Sequence, residues 1–486
     1  MAIEDLQKIR EEKLTILKDA GMDPYPVSVP RDVSLHDVRD KFSEYVDTDK
    51  EVSLTGRIMA IRGQGAIMFA VLDDGTARFQ AVLKKDTLSE DLFSLWNKAV
   101  DIGDTISVTG PLFTTQKGEE SLLVSSWSMA AKSLLPLPEK WHGLVDIDER
   151  FRKRYLDLLL QEEERDLFYK KSMFWKSMRT FLEDRNFLEV QTPTLETTTG
   201  GAEARPFKTH HNDFDMDVFL RISVGELWQK RLMAAGFPKT YEIGRVYRNE
   251  GTSPEHLQEF TNMECYAAFM DFEDGKDFIK ELYKTVALDT FGTTKFTSGE
   301  HVFDFTDEWE DLDYVDTVKK ITGVDVLESS EDELKAKLTE LGVTYSGENR
   351  ERLTDSLWKY CRKQISGPAF LINHPKLIAP LSKTHPDDPR KTKTIQVILA
   401  GSEVGRAHAE LADPQEQRER FEVQEELLKS GDEEAMMPDW EYVEMLEHGM
   451  PPTFGLGVGE RLFAILAGRT VRETQLFPLM RPKANE

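Results

Sequence analysis

The chain has 486 residues, 40% of them apolar and 31% charged, a balance that excludes a disordered polymer and is enough for about two to four domains. Its 88 acidic and 62 basic side chains leave a formal charge of −26, which argues against non-specific binding to a polyanion. Residues 50–140 are nearly neutral, with 10 Lys and Arg against 11 Asp and Glu, so a phosphate backbone is least repelled there.

Residues 3–20 carry Ile3, Leu6, Ile9, Leu14 and Leu17 at helical spacing, and the proline-rich GMDPYPVSVP ends that helix. The charged start has no apolar core of a signal peptide, and no apolar run approaches the ~18 residues of a membrane span. From residue 51 the period shortens. VSLTGRIMAIR, AIMFAVLDDG, ARFQAVL, DTISVTGPLF and SLLVSSWSM read as about five strands separated by Gly-rich turns, with a helix SEDLFSLWNKAV among them. That pattern fits a small closed barrel such as an OB-fold, over 50–140, after an N-terminal helical extension over 1–49. LLPLPEKWHGL is a proline-stiffened linker.

Residues 141–486 mix strands and helices without regular alternation, so an α+β fold is expected rather than a doubly wound parallel sheet. Cys265 and Cys361 form no CxxC pair, which fits a reducing cytoplasm.

Three segments carry chemistry. In RVYRNEG and EHLQEFTNMECY, strand alternation puts Phe260, Asn262, Glu264 and Tyr266 on one face, near Arg248 and Glu250. An arginine with carboxylates can hold a phosphate and a cationic ligand; a salt-bridged surface hairpin is the other reading. Gly455, Gly457 and Gly459 alternate in TFGLGVGERLF, leaving one strand face open to a ligand or to another backbone. Arg461 then opens a helix. Glu403 and Glu410 in GSEVGRAHAELAD are either surface glutamates or ligands for a divalent metal or an organic cation. His210 and His211 are adjacent, a spacing that disfavours shared metal binding.

Together GRIMAIRGQG, FRKRYLDLL, GGAEARPFKTHHNDFDMDVFLRI, VYRNEG with EFTNMECY, and LFPLMRP resemble the class II aminoacyl-tRNA synthetases, and among them the lysyl-tRNA synthetases, over nearly the whole chain. The resemblance implies an anticodon-reading OB-fold and a catalytic domain on a six-stranded antiparallel sheet. It also implies a homodimer, with lysine, ATP, Mg2+ and tRNA(Lys) as partners and no membrane. By matching positions, the resemblance implies that Arg248 and Arg461 are the catalytic arginines. Arg248, Glu250, His256, Phe260, Glu403 and Arg461 bind ATP, and Glu403 is the metal ligand. Glu226, Arg248, Glu264, Tyr266 and Glu410 bind lysine. Arg62, Phe69, Gln80 and Glu119 form the anticodon-binding set, with barrel core the other reading of Phe69. Residues 271–380 are expected as a helical insertion.

Several positions depart from the family pattern. Glu255 stands where arginine is common, Gln396 where a metal carboxylate is common, and Arg406 and His408 where an asparagine and an aromatic are common. SVGEL lengthens the loop before Glu226, and motif 3 lacks one residue after Gly459. Arg406 is a candidate for the lysine carboxylate or for replacing the lost loop arginine. Asparagine or aspartate as substrate, or a catalytically silent tRNA-binding paralogue, are the alternatives.

Overall fold

A computed structural model describes residues 3–46, 50–138, 146–202, 204–251, 253–345, 349–432 and 434–483; the second half of the expected linker, from residue 139 to 144, lies outside them. The chain divides into two compact units, Met1–Glu162 and Glu163–Glu486.

The first unit holds strands β1 (Glu51–Gln64), β2 (Ile67–Asp73), β3 (Arg78–Lys84), β4 (Thr105–Thr114), β5 (Glu120–Leu123) and β6 (Ser126–Ala131). Their order is β1-β2-β3-β5-β4-β6, and an extra β1–β4 pairing closes the sheet into a barrel. One more strand forms than the sequence pattern suggests, because SLLVSSWSM divides. β5 pairs with β3 and β4, Val124 and Ser125 bond to Val82 and Thr109, and β6 then runs along β4. Leu54, Ile58, Ala70, Leu72, Leu83, Ile106 and Val108 fill the interior. The helix Glu90–Ala99 starts at its Ser89 cap and adds Phe93 and Trp96 to the same core.

The second unit contains β7 (Leu188–Glu189), β8 (Leu195–Glu196), β9 (Lys208–His211), β10 (Met216–Leu220), β11 (Lys239–Tyr247), β12 (Glu259–Ala268), β13 (Lys295–Ser298), β14 (His301–Asp304), β15 (Glu310–Asp313), β16 (Ala369–Ile372), β17 (Thr394–Leu399), β18 (Ser402–Ala409) and β19 (Thr453–Gly459). Eight of them form one sheet in the order β15-β16-β17-β18-β19-β12-β11-β7. The six central strands are antiparallel throughout, and one short parallel strand borders each edge. The segment 271–380 is therefore more than a helical insertion. It supplies β15 and β16 to this sheet, and its first helix, Phe272–Phe291, packs beneath the sheet.

Strand period decides which face is core. Tyr241, Met263, Cys265, Val397, Leu456 and Val458 point into a cluster with Phe174, Met178 and Phe181 of the helix Glu162–Glu183 and with Ile279, Leu282 and Tyr283 of Phe272–Phe291. Each such large apolar side chain contributes about 1.5–3 kcal/mol on burial. The opposite face of the same strands lies open and carries the polar residues. The helices Glu331–Glu340 and Pro414–Lys429 begin where the sequence directs. Ser330 makes a capping box with Glu333, and Asp413 caps Pro414–Lys429 with proline in the first turn.

Candidate active site

The open face of the sheet forms the floor of a cavity of about 590 Å³. Glu226, Arg248, Glu250, His256, Phe260, Glu264, Tyr266, Glu403, Glu410 and Arg461 all line it. These are all ten residues expected for ATP, lysine and metal, drawn from five separate stretches of chain. Phe260, Asn262, Glu264 and Tyr266 come in alternation from β12, as expected. Gly455, Gly457 and Gly459 of β19 lie beside them, and a Cβ on Gly455 would overlap both Glu410 and Tyr266. The glycine face of β19 is thus turned to the cavity, while Leu456 and Val458 on its other face pack on the helices. The glycine face makes room for the floor of the cavity.

One end of the cavity is acidic. Glu264 accepts from Val224 N at 2.8 Å, from Asn262 Nδ2 at 3.0 Å and from the Tyr266 hydroxyl at 3.1 Å. The lengthened SVGEL loop is what brings the Val224 amide there. Its Gly225 sits at φ +68 against Thr192, where a side chain would be strained and would collide. Burial, together with Glu226, pushes Glu264 up to about 7; burial pushes Glu410 up to about 8 against the pull of Lys230. Glu410 is 3% exposed, and its Oε1 has no hydrogen-bond partner. Lys230, fully buried, lies 2.7 Å from Glu226 and 2.6 Å from Glu410.

The other end is cationic. Arg248 donates through Nε to Ile222 O at 3.2 Å, and its guanidinium lies 5.3 Å from the centroid of the Phe260 ring. Arg461 donates to Glu403 O at 3.0 Å and to Glu255 O at 3.2 Å, with Nη2 also 3.2 Å from His256 Nε2. An arginine only donates, so Nε2 accepts, and Nδ1 carries the proton 2.8 Å from Ser253 Oγ. Walling-in by the loop and the Arg461 charge hold the His256 pKa down at about 4, so the ring is neutral. Burial raises the Glu250 carboxyl above its ordinary range. Glu403 spends one oxygen on Trp358 Nε1 at 2.7 Å and keeps the other.

The profile of the tRNA synthetases class II (D, K and N) matches residues 146–481. The chain belongs to this family. A second profile, the OB-fold nucleic acid binding domain, matches residues 52–133 of the synthetase. The chain is 40% identical to the lysine–tRNA ligase of Thermotoga maritima over 491 residues, covering 100% of this chain and 97% of that protein. It is likewise 40% identical to those of Halalkalibacterium halodurans, covering 99% and 98%, and of Roseiflexus, covering 99% and 100%.

In this class II synthetase Glu255, Gln396 and Arg406 each find a partner elsewhere in the fold. Glu255 meets Arg362 Nη2 at 3.2 Å and Ser402 Oγ at 3.1 Å, and these partners hold its carboxyl below the ordinary range. The cation facing position 255 is therefore Arg362, from the last turn of the helix Arg350–Arg362, and not Arg406. Arg406 donates to Ile378 O at 2.8 Å and lines the cavity beside His408 and Gln396. Gln396 Oε1 sits 3.1 Å from His374 Nε2. Glu460, next to the shortened motif 3, is buried between Lys171 at 2.8 Å and Gln475. Among the described residues no group of three or more acidic, His or Cys side chains gathers as a metal site. A Mg2+ bound at Glu403 would draw most of its ligands from phosphate oxygens and water, which is how that ion is usually held.

On the synthetase's barrel, Phe69 is half-buried while its neighbours Met68 and Ala70 are interior. Arg62 stands directly across from it on β1, and Gln80 across from Val71 on β3, so all three share the outer face. Phe69 is not barrel core. Gln80 Nε2 donates to Ser121 Oγ at 2.8 Å, and Glu119 is exposed at the start of β5.

Lys230 and Arg362 escaped the sequence reading. Lys230 had a local signal, a glutamate one helical turn ahead at Glu226. Arg362 had none, because the contact spans more than a hundred residues.

Proposed function

We propose that this class II synthetase is a lysine–tRNA ligase, joining L-lysine to the 3′-terminal adenosine of tRNA(Lys) at the expense of ATP. The observation that carries the reading is the polarity of a single cavity. It has arginines at one end and three glutamates at the other, one of them with a buried oxygen lacking a partner. A buried, unpartnered carboxylate oxygen is costly until a cation reaches it. The ε-ammonium of lysine answers that need; an aspartate or asparagine side chain does not. The relatives' shared name agrees.

In this reading Glu226 takes the substrate α-ammonium, and Glu264, Tyr266 and Glu410 surround the ε-ammonium. Arg248 holds the lysine carboxylate against the α-phosphate, so that the carboxylate oxygen attacks phosphorus and pyrophosphate departs. Arg461 neutralises the departing phosphates, and the neutral His256 adds a polar contact without charge. Phe260 and Glu250 hold the adenine. The adenosine hydroxyl of tRNA then attacks the lysyl carbonyl, and AMP leaves. No protein nucleophile is required. The synthetase contributes position and fixed charge. Mg2+, held by Glu403 with the phosphates, would spread their negative charge.

The outer barrel face supports anticodon reading, with Phe69 stacking on a base and Gln80, Glu119 and Arg62 reading edges or phosphate. Exposed Tyr169, Met173, Leu188 and Leu195 support a homodimer interface along the helix Glu162–Glu183 and the short strands after it. No described helix is long and apolar enough to cross a membrane, and two buried free cysteines are in keeping with a cytoplasmic enzyme. Amino-acid-dependent ATP–pyrophosphate exchange tests the reading directly. Exchange with lysine alone among the twenty is expected; exchange with another amino acid, or with none, overturns it.

A further inference from the structure

The helix Glu226–Ala234 begins with a residue that lines the cavity, and one turn later carries a residue behind its wall. That second residue, Lys230, is completely buried. Its ammonium touches Glu226 Oε1 at 2.7 Å and Glu410 Oε2 at 2.6 Å. Glu226 belongs to the helix and Glu410 follows β18, where its amide bonds to Thr453 O at 2.9 Å. One ammonium therefore ties together two elements far apart in sequence. The two oxygens it holds are no farther apart than its two contacts laid end to end.

The remaining oxygens are the ones available to a ligand. Glycines border both. A Cβ on Gly201 would press on Glu226 Oε2, and one on Gly455 would overlap Glu410 Oε1. Each carboxylate thus has one oxygen tied to Lys230 and the other set against bare backbone, facing a site where lysine's two ammonium groups are to be received. Carboxylates held in this way keep a constant separation as well as a constant charge.

Resting on the reading of the cavity as a lysine site, we infer that Lys230 sets the distance between Glu226 and Glu410, the carboxylates at the two ends of the substrate, and so measures the length of the diamino acid. It is a positioning residue and touches no substrate. Ornithine, one methylene shorter, brings the same two charges on a shorter span. Against fixed carboxylates it reaches one and misses the other; against loose ones it reaches both. A single methylene is ordinarily worth about 10- to 200-fold in discrimination, which is the range a ruler of this kind governs.

The test is pyrophosphate exchange by the full chain with lysine and with ornithine, in the parent enzyme, Lys230→Met and Lys230→Arg, with thermal unfolding followed in parallel. In Lys230→Met the lysine KM rises about tenfold or more as the two glutamates lose their shared partner. The lysine-to-ornithine ratio of kcat/KM falls about tenfold, while the KM for ATP holds. Lys230→Arg keeps the charge but alters its reach, so its lysine KM stays nearer the parent's while the ratio still falls. If Lys230→Met does not fold, the ratio in Lys230→Arg decides. Folded variants that lose lysine and ornithine equally, or that keep the parent ratio, overturn the inference. Absence of lysine exchange in the parent enzyme overturns the lysine reading itself.

Discussion

The Tyr266 hydroxyl donates to Glu264 Oε2 at 3.1 Å, two residues along the same face of β12. With the Val224 amide and Asn262 also donating, Glu264 is well supplied with partners, whereas Glu410 across the floor has Lys230 on Oε2 and nothing on Oε1. Glu410 is thus the stronger acceptor for an incoming ammonium. Glu410→Gln is expected to raise the lysine KM about 10- to 100-fold, the usual cost of a lost charged hydrogen bond, and to leave the KM for ATP unchanged. The two constants from exchange kinetics decide it, and equal losses in both would count against the assignment.

The same carboxylates predict a pH dependence. In the empty cavity Glu264 titrates at about 7 and Glu410 at about 8, with Glu226, Lys230 and Arg248 as their charged neighbours. A bound ammonium favours the ionised form, so lysine binding expels protons held by the empty site. Affinity therefore rises as pH passes through about 7 to 8, so the lysine KM falls there, and it rises again at higher pH once the substrate's own α-ammonium loses its proton. His256, at about 4, stays neutral throughout and adds no slope. A lysine KM flat across this window contradicts the expectation.

Gly455→Ala would drive a methyl group into Glu410 Oε1 and the Tyr266 ring. The site is too closely packed to give way without moving the carboxylate. A rise in the lysine KM of about tenfold is expected, with a modest loss of melting temperature from overpacking. Gly457→Ala is the control, since a Cβ there meets Glu264 only at 3.5 Å, an ordinary contact. Equal kinetic effects of the two would refute the distinction.

Arg362 and Arg406 are expected to fail in different ways. Arg362→Ala leaves Glu255 without its guanidinium partner at the cationic end, where its charge opposes bound phosphates. The KM for ATP rises about tenfold or more and that for lysine does not. Arg406→Ala, on the wall beside His408, raises the KM for lysine and spares ATP. Unchanged values for both substrates in Arg406→Ala would remove that residue from the site.

For the barrel, Phe69→Ala removes the half-buried aromatic from the outer face and leaves the interior intact. A stacking contact is worth about 1–3 kcal/mol per base, so tRNA affinity drops about 5- to 150-fold while pyrophosphate exchange is unaffected. Filter binding and exchange, measured on one preparation, separate the two.

The parts of the site that could be read from sequence are those encoded by local period. Alternation along 259–268 put Phe260, Asn262, Glu264 and Tyr266 on one face, and β12 carries them so. The glycines of β19 were legible as an open face, though not what would fill it, because Glu410 and Tyr266 arrive from other parts of the chain. The pairing of Glu255 with Arg362 could not be read, since only the tertiary fold joins a loop to a helix end 107 residues away. The division of SLLVSSWSM into β5 and β6 was hidden for a related reason. The chain changes partners at Val124 and Ser125 without a glycine or proline to announce it.

On the barrel, Met68 and Ala70 face inward while Phe69 between them faces out. Core and exposed surface are thereby assigned to alternate positions of one strand. If the outer face reads the anticodon as proposed, drift at Phe69, Gln80 or Arg62 would alter what the domain recognises with little effect on whether it folds, and drift at Met68, Ala70 or Phe79 would do the reverse. Such a surface can acquire a new preference one substitution at a time without first acquiring spare stability.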